Sequence, residues 1–318
     1  MIRNTSILFL GIIFGVLLTE GILRANYSRL KNYNTEMWRY ANELKLLVPD
    51  SGIGHIHKSN AAANLYDVKI ETNNLGFRGP LDFNPTDTSR RKILIIGDSI
   101  GMGWGVPYQD SFAGLIQKKY TGSFDVWNTS VGNYSIHNQI GVLKKWEGVK
   151  CDLVIQLYYI NDAEVIEYPN RVSHFFQSNF LLYSFLADSL IKILHSDKGN
   201  YRKFYKETYL SKNIFFESFN GILSWSEVRK IPHLFINIPE MHQFKQYPFP
   251  KIHNLIEKGV QHYPHITYLD LLPMLREHNP EGLWVSKEDQ HPNIKANKLF
   301  LDSARPYLEK LLNHEKRN

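Results

Sequence analysis

The chain has 318 residues, 43% hydrophobic and 21% charged, which is enough apolar material for one large globular domain or two small ones and excludes a disordered chain. Its net charge of +6 comes from scattered Lys and Arg, without a long basic run or a nucleic-acid motif, so nucleic acid is set aside as a partner. The single cysteine, Cys151, excludes an internal disulfide and a cysteine-rich zinc site, and its place before an apolar run is ordinary for a buried thiol.

Ser6 to Leu18 is almost wholly apolar and, continued by Thr19, Glu20, Gly21, Ile22 and Leu23, reaches the lower limit for crossing a bilayer. Glu20 stands four residues before Arg24, so on a helix the two can pair at the membrane edge. A cleaved signal peptide is the competing reading, but Leu23 and Ala25 make a poor small-x-small cleavage site, and residues 1–25 are read as an uncleaved anchor. Arg3 flanks one side and Arg24, Arg29 and Lys31 the other, a charge balance that leans weakly against an exported domain.

Residues 26–90 read as a stalk and a hairpin, with a helical run from Glu36 to Val48 and an exposed strand at Val68–Thr72. The glycine-punctuated segment Asn73 to Pro80 is either a plain hairpin turn or a loop that brings Asn74 and Arg78 beside the rim of a site. From Lys92 onward apolar strands at 92–96, 124–128, 152–158, 233–238 and 266–270 alternate with segments long enough for helices, such as Ser111–Tyr120 and His137–Trp146. That alternation predicts right-handed β-α-β crossovers and a parallel sheet. The aromatic-rich segment at about 164–230 breaks the rhythm and reads as a helical insertion, able to cap a cleft or lie near a membrane.

The first strand ends in Gly97-Asp98-Ser99, which delivers a serine at the sheet edge where open α/β folds place their chemistry. A serine nucleophile needs a histidine base oriented by a carboxylate, and Glu288-Asp289-Gln290-His291 supplies both on one polar corner before a helical run, Lys295–Leu312. A plain surface loop capping a helix is the alternative for that corner. Gly132, after the second strand, and the Asn161 amide, after the third, join the Ser99 N–H as candidate donors to an oxyanion. Other histidines, His174, His242 and the His262/His265 pair, are read as surface or packing residues; Pro264 keeps the pair off one helix face and weakens it as a metal site.

Taken together, Gly97-Asp98-Ser99, Gly132, Asn161-Asp162 and His291 resemble the ordered blocks of the SGNH or GDSL-like hydrolases. Gly103-Trp104-Gly105-Val106, the segment Asn73 to Gly79 and the apolar start with its Glu and Arg resemble the bacterial membrane-anchored branch. The resemblance implies a three-layer α/β/α sandwich with five parallel strands ordered 2-1-3-4-5, in a catalytic domain over residues 91–313. It implies Ser99 as nucleophile, His291 as base and Ser99, Gly132 and Asn161 as oxyanion donors, with no metal or cofactor. The commonest final block has Asp three residues before His, where this chain has Glu288; Asp289, two before, is taken as the residue that orients His291, with Glu288 the alternative and Asp98 a shaper of the turn. It also implies a small acyl ester, such as an acetyl group on an envelope or exported polysaccharide, and a bacterial inner-membrane protein with a periplasmic domain. Acyl transfer to a sugar hydroxyl and a non-catalytic envelope scaffold or glycan-binding protein are the alternatives.

Overall fold

The computed structural model describes residues 2–30, 33–48, 52–164, 180–183, 186, 201–210 and 213–314. His174 and the remainder of the insertion lie outside the described residues.

Five parallel strands form the central sheet: β5 (Arg91–Gly97), β6 (Phe124–Asn128), β7 (Leu153–Tyr158), β8 (His233–Asn237) and β9 (Ile266–Asp270). They lie in the order β6-β5-β7-β8-β9, which is 2-1-3-4-5 within the sheet, as expected. The registers pair Ile95 with Asn128 and with Ile155, and Asn237 with Asp270, so the carboxyl ends of the strands share one edge.

Strand period explains why the sheet is covered on both faces: successive residues point to opposite sides, and β5 is apolar at both phases. Ile93 and Ile95 join one core with Phe112 and Ile116 of α4 (Phe112–Lys119) and Phe300, Ala304 and Leu308 of α9 (Ile294–His314). Leu94 and Ile96 join the other with Leu143 of α5 (Ile136–Lys145), Phe219 and Ile222 of α7 (Asn213–Val228) and Ile256 of α8 (Pro250–Val260). The result is the three-layer sandwich. Between β5 and α4 lies the one-turn helix α3 (Ser99–Met102), and α6 (Tyr201–Leu210) precedes α7.

Within residues 26–90, expected as a stalk and hairpin, Tyr40, Leu44, Leu65 and Ile70 pack with Met102 and Trp104 of the loop region after β5. The apolar start is a single helix, α1 (Ile2–Leu30), whose stretch Thr5–Asn26 has mean hydropathy 2.3 and is long and apolar enough to cross a membrane. The helical run expected over Glu36–Val48 holds only through α2 (Tyr33–Arg39) and a wider turn, Tyr40–Leu44. Lys45–Val48 instead becomes β1, paired antiparallel with β2 (Gly54–His57). On that wider turn Tyr40 and Leu44 enter a core formed with Leu65, Ile70, Met102 and Trp104, and the backbone turns extended at Lys45. A second hairpin, β3 (Ala62–Leu65) with β4 (Val68–Glu71), contributes that Leu65 and Ile70, so the strand read as exposed has one buried face.

Candidate active site

Ser99 opens α3 directly beyond β5, so its N–H is among the donors a helix start leaves unsatisfied. Asp98 precedes it as the cap: its carboxylate accepts the Ile100 N–H at 2.8 Å, which fixes the turn and aims Asp98 inward, where it is 1% exposed. Burial raises the Asp98 pKa, opposed by the Ile100 bond and the charge of His291.

The loop before α9 brings the opposite wall. Val285 donates its N–H to the His291 carbonyl, and Asn293 caps the helix by accepting the Ala296 N–H while its amide holds the Gly282 and Trp284 carbonyls. This bracing holds His291 with Nε2 at 2.8 Å from Ser99 Oγ and Nδ1 at 2.5 Å from Asp289 Oδ1. Asp289 also accepts the His291 N–H, and its second oxygen accepts the Trp104 indole N–H at 2.7 Å. Burial works to raise the Asp289 pKa, but the bonds and charge from His291 and the indole bond hold it below the usual value. Glu288, the alternative orienting carboxylate, bonds Ser286 instead.

A cleft of about 330 Å³ opens over Ser99 and His291, with Tyr33, Asn133, Tyr159, Asn161, His242 and Glu288 among its walls. Ser99, His291, Asp289 and Asn161 therefore come together as the sequence suggested. The expectation for Gly132 needs correction, and the alternative that set Asn74 and Arg78 beside the rim gives way to the turn reading. The Gly132 N–H is bound to the Tyr40 hydroxyl at 2.8 Å and its carbonyl to Lys45 at 2.6 Å, so that donor is committed away from the cleft. Side-chain absence at Gly132 serves close packing: a Cβ there would lie 2.8 Å from the Tyr40 ring. Arg78 is 1% exposed and donates to the carbonyls of Met102, Gly103 and Val106, so it braces the loop behind α3 and does not reach the rim. Asn74 bonds the backbone of Phe83 and Asp82's side chain accepts its N–H, which closes the surface turn away from the cleft.

Several cleft residues were not legible beforehand. Asn133 follows Gly132 at φ 69°, exposed and facing the cleft, and its N–H has no acceptor among the described residues. His242, read as surface or packing, stands on the cleft wall beyond β8 with Nδ1 on the carboxylate of buried Glu240. The Glu240 bond is the main cause that raises the His242 pKa. A signal for it was present: Glu240-Met241-His242 repeats the carboxylate-x-His spacing of Asp289-Gln290-His291, and in both pairs the carboxylate accepts the histidine's backbone N–H. Among the described residues no cluster of His, Cys, Asp and Glu has the makings of a metal site.

A serine–imidazole–carboxylate chain, its carboxylate buried, at the carboxyl edge of a five-stranded parallel sandwich defines the class of site. No protein-family model matches the chain, and no curated protein sequence does. Among solved structures it is similar to TesA at 15% identity, covering 70% of this chain and 99% of that one, with a TM-score of 0.44. It is also similar to the psychrotrophic esterase EstA from Pseudoalteromonas sp. (15% identity, 70% and 99% covered, TM-score 0.41). A third likeness is to the acetylxylan esterase Axe2 from Geobacillus stearothermophilus (14% identity, 70% and 94% covered, TM-score 0.42).

Proposed function

We propose that the chain is an SGNH-type serine esterase that cleaves a short acyl ester by way of an acyl-enzyme. The observation that carries this reading is the unbroken relay from Ser99 Oγ through His291 to Asp289 at 2.8 and 2.5 Å. A serine hydroxyl is a poor nucleophile until a base within hydrogen-bond reach takes its proton, and a buried carboxylate fixes the imidazole with Nδ1 protonated and Nε2 free to accept. Ser99 Oγ attacks the ester carbonyl as His291 takes its proton. His291 then protonates the departing alcohol, and water, activated by the same imidazole, releases the acid. The N–H groups of Ser99 and Asn133 and the Asn161 amide are the donors available to the oxyanion, with Asn133 in the place expected of Gly132.

The cleft wall supports a short acyl group on a polar alcohol. Among the described residues its lining is Asn133, Asn161, His242, Glu288 and Gln290 with two tyrosines and Ile100, a polar wall that suits a short acyl group. An O-acetyl group on a carbohydrate fits that description. The protein is held in a membrane by α1, whose Glu20 is built into the folded domain, which supports an anchor that stays.

Incubation of the full-length protein with a short-chain aryl ester tests the assignment. Ser99→Ala is expected to lose at least about 10³-fold in kcat/KM and to lose labelling by a fluorophosphonate probe. Hydrolysis by Ser99→Ala at the parent rate, or failure of the folded parent to label, would overturn it in favour of a scaffold or glycan-binding role. Product analysis with an acyl donor and an acceptor glycan separates hydrolysis from transfer.

A further inference from the structure

Glu20 is out of character with its helix. Its neighbours along α1 are open to the surroundings, Phe9 at 64% and Phe14 at 67%, yet Glu20 is 6% exposed. Its two carboxylate oxygens accept the N–H groups of Leu181 at 2.9 Å and Leu182 at 2.7 Å, and Arg24 Nε lies 2.6 Å away on the same helix. Arg24 in turn lies over the Trp38 ring at 5.6 Å, tying this level of α1 to α2. A carboxylate in or near hydrocarbon must be both paired and hydrogen-bonded, and these contacts meet that demand.

Depth follows from helix geometry. Glu20 lies six residues inside the apolar stretch that ends at Asn26, or about 9 Å along the axis. The backbone that reaches Glu20 must lie at the same depth. That backbone belongs to a helical turn at 181–183, and around it Phe180, Tyr183 and Leu186 are 52%, 52% and 57% exposed while Leu181 is buried. Large exposed apolar side chains beside a membrane-crossing helix continue its lipid-facing surface, and water is the wrong solvent for them.

We propose that residues 180–183, with Leu186, are a foot seated in the bilayer beside α1, locked there by Glu20, and that its occupant is the outer acyl-chain layer of the lipid. The inference rests on reading α1 as a membrane anchor and is independent of the esterase chemistry. It fixes the working height of the site. Tyr33, a wall of the cleft, follows Asn26 by four helical residues and three more, so the cleft stands at most about 16 Å above the end of the apolar stretch. The ester is therefore met at the membrane surface.

The test uses full-length protein with Cys151→Ser, reconstituted in phosphatidylethanolamine and phosphatidylglycerol vesicles whose acyl chains carry nitroxides. A bimane label is placed in turn on Tyr183→Cys, on Phe14→Cys within the anchor and on Glu309→Cys, which is on the outer face of α9. A foot lying about 5–10 Å below the headgroups predicts that emission at 183 falls at least about two-fold, as at 14, while 309 is unchanged. Adding Glu20→Leu is expected to relieve quenching at 183 and leave 14 quenched. Quenching at 14 without quenching at 183 overturns the foot and spares the anchor; quenching at neither overturns both. Quenching at 183 that survives Glu20→Leu overturns the lock.

Discussion

Asp289 and Glu288 are adjacent carboxylates with separate work, and the difference is one of environment. Asp289 is 2% exposed and its oxygens are divided between His291 and the Trp104 indole, whereas Glu288 faces solvent and serves its own turn through Ser286. Asp289→Asn puts an amide where Nδ1–H needs an acceptor, favouring the wrong tautomer, and is expected to cost about 10²–10⁴-fold in kcat. Glu288→Gln is expected to stay within about 3-fold, the scale of an exposed contact. Steady-state kinetics of the two variants on one aryl ester check the pair; equal losses would mean that the orienting carboxylate is shared. Trp104 explains why adjacency alone could not decide between them: the indole arrives from α3's loop, 185 positions away in the chain.

At the scale of elements, the sheet was readable and the front wall of the cleft was not. Strands β6 and β9 match their expected bounds because each is a short apolar run closed by turn residues, a signal held within five residues. Within 33–80 only the strand at Val68–Thr72 carried such a signal; the placement of Tyr40 and Leu44 depends on a core built with β3, β4 and the loop after α3. Ser99, His291 and Asn161 were legible because each follows a strand or precedes a helix at the sheet edge. Gly132 misled because glycine marks close approach without saying what approaches. What approaches is Tyr40, whose hydroxyl accepts the Gly132 N–H and also lies 2.7 Å from His57 Nε2. Tyr40→Phe leaves that buried N–H without its acceptor and is expected to destabilise the protein by about 1–3 kcal/mol. Urea unfolding checks the stability, and a fall in kcat larger than that in labelling by the fluorophosphonate would trace the loss to the Gly132–Asn133 loop and its oxyanion donor.

Two carboxyl groups just beyond β5 and β7, Asp98 and Asp162, are buried, and this makes stability depend on pH. Asp162 is fully buried, one oxygen accepting the Tyr159 N–H at 3.1 Å, and its pKa is raised well above the usual carboxylate value, first by burial and then by Asp98. Asp98 is raised for the same first reason. A raised carboxylate means that the folded chain keeps a proton the unfolded chain has already released, so between the unfolded value of about 4 and the folded value stability falls as pH rises. Asp289, lowered in the fold, acts with the opposite sign: its contribution is present above the unfolded value and is lost as pH falls through the folded one. Asp162→Asn removes the first effect, keeps an oxygen for the Tyr159 N–H and leaves Asp289 untouched. The variant should therefore gain stability relative to the parent on going from about pH 5 to about pH 8. Urea unfolding of both detergent-solubilised proteins at the two pH values measures it. Parallel pH dependence in parent and variant would mean that Asp162 titrates alike in the folded and unfolded chain, and that the carboxylate behind Ser99 carries its charge at neutral pH.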